Sequence, residues 1–153
     1  MSSATLQQVY EIFIRTTPEQ LWQAITDASF TRRFFFGTSV SSTLQPGAPI
    51  VYAFPDGTTA VEGTIVEAEP PHKLVHTWQI RYDPTAADET SRVTWLIDKR
   101  GPSCKLRAIH ELDGAPHTAT NVGNDGWTVI LSSLKTLLET GEPLEVAPAA
   151  PVS

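Results

Sequence analysis

Residues 124–141, NDGWTVILSSLKTLLETG, decide the fold. Trp127, Ile130, Leu131, Leu134, Leu137 and Leu138 recur at spacings of three and four, which places them on one stripe of an α-helix. Asn124 or Asp125 can cap its start, because a short side-chain oxygen satisfies a free backbone N–H there. Gly141 suits the left-handed position just past the end, and Pro143 prevents a restart. A stripe this wide has to lie on an apolar surface. Each large side chain it buries contributes about 1.5–3 kcal/mol before entropy is counted. The rest of the chain supplies one partner of that kind, a run of alternating strands.

Working outward from the helix, residues 8–14 alternate, with Val9, Glu11 and Phe13 on one side and Tyr10, Ile12 and Ile14 on the other. Both faces carry apolar groups, so the pattern predicts a strand covered on both sides over part of its length. Thr17-Pro18-Glu19-Gln20 is a helix start, with Thr17 as cap, Pro18 at the first helical position and Gln20 at capping-box spacing. Leu21, Trp22 and Ile25 give that short helix its apolar stripe. Asp27 or Ser29 can cap a second short helix carrying Phe30, Phe34 and Phe35 and ending at Gly37. Strands follow at 39–44, 49–54, 59–68, 73–81, 92–98 and 104–112. Turns at Pro46-Gly47, Asp56-Gly57, Pro70-Pro71 and Gly101-Pro102 punctuate them, with a polar loop at 83–90. Residues 113–122 read as a loop. Short turns between consecutive strands predict an antiparallel sheet, and one long closing helix predicts an α+β arrangement. A twisted sheet of this length curls, so a straight helix laid across it leaves space beside the line of contact.

At 153 residues and 41% hydrophobic content the chain reads as one globular domain with a real core. We expect a flexible arm at 1–5, the folded domain at 6–141 and a disordered Pro/Ala-rich tail at 142–153. The net charge of −6, with no basic block, argues against a nucleic-acid partner, since phosphate binding needs clustered Lys and Arg. No apolar run approaches the roughly 20 residues of a membrane span. No export signal opens the chain, and Cys104 stands alone, so a reducing cytoplasm is the expected location. No metal spacing, P-loop, G-x-G-x-x-G or G-x-S-x-G motif is present, and no cofactor is expected.

The segments VYEIFIRTTPEQLWQAITD, RRFFFGTSV, EGTIVEAEPPHKLVHTW, SRVTWLI, LRAIHE and GWTVILSSLKTLLETG together resemble the helix-grip, START-like (SRPBCC) superfamily. More narrowly, they are similar to the branch named for homology to the C-terminal domain of the Hsp90 ATPase activator. The resemblance runs from about Val9 to Gly141. Its most specific pieces are 70–78, PPHKLVHTW, and the closing helix. It implies a curved antiparallel sheet of seven strands gripping the C-terminal helix, with a cavity between them. Members of the superfamily bind lipids, hormones and polyketide-like molecules, and some are enzymes, so the resemblance implies no fixed activity.

His76 and His110 are the candidate catalytic residues. Each shares a strand face with apolar residues, and a neutral imidazole there can exchange a hydrogen bond or a proton with a ligand oxygen. Each can equally be a core histidine satisfied by a neighbour. Trp78, Trp95 and Trp127 can line a pocket or simply fill the core. Phe34, Phe35 and Phe36 are consecutive, so at least one must project away from the core. Arg81, Tyr82 and Arg107 could hold an anion, although both arginines fall on the face opposite the histidines. We assign the cavity wall to Phe36, Tyr52, Phe54, His76, Trp78, Trp95, His110, Trp127 and Leu131. Three functions are then open. The first is binding of a lipophilic or aromatic small molecule. The second is a cyclase or hydrolase working through a cavity histidine. The third is a chaperone-cofactor or stress-response module, which would show an exposed apolar patch away from the pocket. A homodimer formed through a strand edge or the FFF segment is a further expectation.

Overall fold

The computed structural model describes residues 6–123 and 125–147. The expected flexible arm at 1–5, the last six residues of the expected tail and the proposed cap Asn124 lie outside the described residues. Residues 142–147 carry neither helix nor strand. No helix among the described residues is long and apolar enough to cross a membrane.

The chain runs β1 (Gln7–Ile14), α1 (Pro18–Thr26), α2 (Ala28–Phe34), β2 (Ser39–Ser41), β3 (Pro49–Ala53), β4 (Thr59–Glu69), β5 (Lys73–Ile80), β6 (Ser91–Arg100), β7 (Ser103–Glu111), α3 (Pro116–Gly123) and α4 (Gly126–Thr140). The seven strands form one sheet in the order β1-β7-β6-β5-β4-β3-β2. Every neighbouring pair is antiparallel. The first strand thus closes against the last, in unbroken register from Gln7 opposite Glu111 to Ile14 opposite Cys104. The sheet bends where the register slips, between Tyr52 and Ala53 and between Ile65 and Glu67. Gly63 lies just before the second slip. A Cβ there would sit 1.9 Å from the carbonyl oxygen of Thr77, so only glycine lets β4 and β5 approach this closely.

The local signals at the helices act as their chemistry requires, with two differences. Thr17 accepts from the Gln20 N–H at 3.2 Å, and Pro18 opens α1. Gln20 does not turn back to the Thr17 backbone; its side-chain oxygen accepts instead from the Thr16 hydroxyl at 3.1 Å. Asp27 caps α2 by accepting from the Ser29 N–H at 2.8 Å. At α4, Asp125 precedes the helix in the left-handed region, φ 63°, and makes no side-chain cap bond. The far end follows expectation: Gly141 is left-handed, φ 80°, and its N–H reaches the Leu137 carbonyl at 2.8 Å.

α4 packs against α2, α3 and β1 and buries Trp127, Ile130, Leu131, Leu134 and Leu137. Leu21, Ile25, Trp78, Trp95 and Leu106 belong to the same core. Two expectations fail. The outer side of β1 is open, with Val9 46% and Phe13 51% exposed, because α4 covers only the other face of the strand among the described residues. Residues 113–122 are not a simple loop but contain α3, which buries Thr118 and Val122. Its N-terminus is capped from a distance. The Glu89 carboxylate accepts from the Thr118 N–H at 2.7 Å, the Thr118 hydroxyl at 2.9 Å and the His117 N–H at 3.2 Å. A cap 28 residues upstream leaves no local mark in the sequence.

Candidate functional site

A cavity of about 330 Å³ opens where the N-terminal half of α4 stands off the sheet. Strand alternation aims Tyr52 of β3, Val61 of β4 and Trp78 of β5 at it from the sheet side, and Ala60 joins them because it is the extra residue at the register slip between Val61 and Thr59. Trp127 and Ile130, three apart on α4, and Val122 of α3 face them. Phe35 closes one end, stacked on Tyr52 at 4.8 Å between ring centroids and set edge-on to Trp127 at 6.4 Å. Trp78 lies 5.7 Å from Tyr52 and 5.8 Å from Trp127, so the wall is a continuous aromatic surface. Phe36, Phe54, Tyr82 and Asn121 surround the mouth. Phe36 is 55% exposed while Phe34 and Phe35 are buried, so one of the three projects away as expected, but the cause differs: α2 ends at Phe34, and the left-handed backbone at Phe36, φ 53°, turns that ring outward. The Tyr82 hydroxyl donates to the Asn121 side-chain oxygen, whose amide donates in turn to Asp83 at 3.2 Å. The β5–β6 loop is thereby tied to α3 across the rim.

Five of the nine assigned wall residues meet at this space: Phe36, Tyr52, Phe54, Trp78 and Trp127. His76, Trp95, His110 and Leu131 are fully or almost fully buried and lie outside its lining. The two imidazoles are instead the centre of a buried polar network. Trp95 donates its indole N–H to His76 Nε2 at 3.0 Å, and His76 Nδ1 lies 2.9 Å from the Thr77 carbonyl. An indole only donates and a carbonyl only accepts, so the His76 proton sits on Nδ1. Trp127 donates to His110 Nδ1 at 3.0 Å, which puts the proton on Nε2, facing the Ser91 hydroxyl at 2.7 Å. Ser91 passes its own proton to the Trp78 carbonyl at 3.2 Å. Both rings are neutral. Burial depresses His76 to about 4, against a smaller opposing pull from the Thr77 carbonyl. Burial, with the nearby His76, depresses His110 to about 3. With both ring nitrogens engaged and no face on the cavity, neither ring is placed to trade a proton with a bound molecule.

The two candidate arginines fall on the solvent side. Arg81 pairs with Glu62 at 2.6 Å and Arg107 with Glu11 at 2.9 Å, on partly exposed side chains. Among the described residues, no group of three or more His, Cys, Asp or Glu side chains could hold a metal ion. Phe35, Ala60, Val61, Tyr82, Asn121 and Ile130 also line the cavity, although the sequence pattern does not assign them to its wall and marks Tyr82 only as a partner of Arg81 and Arg107 in holding an anion. Ile130 was within reach, since it lies one turn after Trp127 on the helix. Asn121 was not, because the element that carries it was not recognised.

A curved antiparallel sheet gripping its last helix, with an aromatic cavity between the two, defines a helix-grip protein of the START-like class. More particularly, the chain belongs to the activator of Hsp90 ATPase homolog 1-like protein family, whose model matches residues 15–139. Three solved structures show the same fold. Protein MLL2253 from Mesorhizobium loti is 23% identical with a TM-score of 0.72, over 87% of this chain and 96% of that one. PFC0360w, an HSP90 activator from Plasmodium falciparum, is 21% identical with a TM-score of 0.66, over 86% and 95%. The Aha1 dimer from Colwellia psychrerythraea is 21% identical with a TM-score of 0.64, over 89% and 98%. Comparison with curated proteins finds no match.

Proposed function

We propose that this protein binds a small hydrophobic or aromatic molecule in the cavity between the sheet and α4. The observation that carries this reading is the aromatic lining of a 330 Å³ space between the sheet and α4. Folded interiors are close-packed, and a space of this kind forfeits dispersion contacts that a ligand would restore. Its size falls at the lower end of small-molecule sites, and its wall is mostly apolar with few polar groups, as such sites require. A panel of neutral aromatic compounds, read by thermal shift and by native mass spectrometry, tests the reading. We expect one-to-one binding and a rise in Tm, both lost in Ala60→Leu, which adds carbon atoms at the cavity wall. Equal binding by wild type and Ala60→Leu, or no binding by either, contradicts it.

A second reading, a protein-interaction role with a chaperone or with a second copy of this chain, is favoured by one further observation. Val9 and Phe13 are exposed on the edge strand β1, on the face opposite Tyr10, Ile12 and Ile14. Similar proteins are described as an HSP90 activator and as an Aha1 dimer. A cytoplasmic location accompanies either reading. Stimulation of Hsp90 ATPase, or a dimer by light scattering, that is abolished by Phe13→Asp would support this role; a monomer without effect on the ATPase would remove it.

A further inference from the structure

Two polar atoms in the cavity's aromatic wall have no hydrogen-bond partner among the described residues: the Tyr52 hydroxyl and the Trp78 indole N–H. Both side chains are deeply buried, Tyr52 1% and Trp78 4% exposed. The contrast with their neighbours is sharp. Trp95 and Trp127 each donate the indole N–H to a histidine nitrogen. Trp78 lies between the two imidazoles, 6.1 Å from His76 and 5.5 Å from His110 by ring centroid, yet its N–H engages neither. Buried polar groups are nearly always paired, so two orphans side by side on one cavity wall call for an explanation.

The chemistry of the two groups limits what can satisfy them. An indole N–H only donates, so its partner must be an acceptor. A phenol can donate to the same acceptor or to a second one. The lining holds no Lys, Arg, His, Asp or Glu side chain among the described residues. A carboxylate or phosphate would therefore enter without a counter-charge, which is strongly unfavourable. The surrounding rings of Phe35, Trp78 and Trp127 favour a flat, polarisable body that can stack.

We infer that the cavity takes a neutral, planar aromatic compound bearing a carbonyl oxygen, which accepts from the Trp78 N–H with the Tyr52 hydroxyl as its second contact. This rests on the small-molecule reading above and names the ligand class for that same site. The two atoms sit within the wall rather than on its surface, so the ligand engages them as it seats, through a small turn of the Trp78 or Tyr52 ring. The pair works as a polarity filter. A hydrocarbon of the same shape gains the apolar contacts but leaves both groups unpaired.

The matched pair fluorenone and fluorene isolates the carbonyl, and a fluorenone carboxylate tests the charge. Binding to the full-length protein is measured by equilibrium dialysis, and the indole N–H resonances are followed by ¹H–¹⁵N NMR. We expect fluorenone to bind at least about tenfold more tightly than fluorene, the factor set by a buried hydrogen bond that is otherwise missing. We expect the Trp78 indole proton, assigned by its loss in Trp78→Phe, to move downfield with fluorenone only. In Tyr52→Phe the ratio of fluorenone to fluorene affinity shrinks, a loss of selectivity that general loosening of the fold, which weakens both ligands alike, would not produce. Equal affinities for ketone and hydrocarbon with an unmoved indole proton overturn this inference and leave the apolar-ligand reading standing. Equal affinity for the carboxylate overturns the requirement for neutrality. Binding of none of the three overturns both readings together.

Discussion

His76 and His110 work as hydrogen-bond acceptors for two tryptophans, and that role makes them pH-sensitive parts of the core. Each is depressed in the folded protein, to about 4 and about 3, from an ordinary value of 6.5. The unfolded chain therefore binds more protons than the folded one between those values. The stability they contribute is complete above about pH 6.5 and falls away as the pH drops toward the folded values, by on the order of 3 kcal/mol per ring. Urea denaturation between pH 7 and pH 4 should show this decline, and His76→Phe should flatten it. His76→Phe should also destabilise the protein at pH 7, by about 1–3 kcal/mol, because the Trp95 N–H loses its acceptor. A pH-independent midpoint in the wild type would contradict the assignment. Gly63 gives a second test at this scale. Gly63→Ala drives a methyl group into the Thr77 carbonyl and should cost about 1–3 kcal/mol in chemical denaturation. At the level of single residues the sequence was half legible. Alternation put His76 and Trp78 on one inward face, but which tryptophan meets which histidine depends on the offset between β5 and β6. There Leu74, not His76, lies opposite Trp95, and no local pattern encodes that offset.

Among the elements, α4 announces itself and α3 does not. The spacing of α4 and its terminal glycine are complete within its own sequence. α3 is short, weakly apolar and held by Glu89 from the preceding loop. Desolvation works against the Glu89 charge, but the hydrogen bonds from Thr118 and His117 prevail and hold the carboxyl down to about 2. This support is in place above the ordinary carboxylate range and is lost only as the pH falls through about 2. Glu89→Ala should therefore free the start of α3 at neutral pH. Amide exchange over residues 118–122 should accelerate about fivefold or more, while the centre of α4 is unaffected. Because Asn121 and Val122 belong to the cavity lining, the same variant should also speed ligand entry and release. Unchanged exchange in α3 would show that its burial, not the carboxylate, holds it in place.

For the molecule as a whole, one geometric fact creates the cavity. A straight helix cannot follow a sheet bent by two register slips, so contact is tight at Leu134 and Leu137 and open near Trp127 and Ile130. The antiparallel sheet and its closing helix were legible because period-two and period-3.6 patterns alternate cleanly along the chain. The cavity wall was legible only in part, since which inward side chains face empty space depends on where the helix lifts away. The proposed occupant of that space is a neutral aromatic molecule. The most direct measurement is the set of intermolecular nuclear Overhauser effects from bound fluorenone. We expect contacts to the Trp78 and Trp127 rings and to the Ile130 methyl groups at saturation. Contacts confined to Val9 and Phe13 on the outer sheet face, or none at saturation, would contradict it.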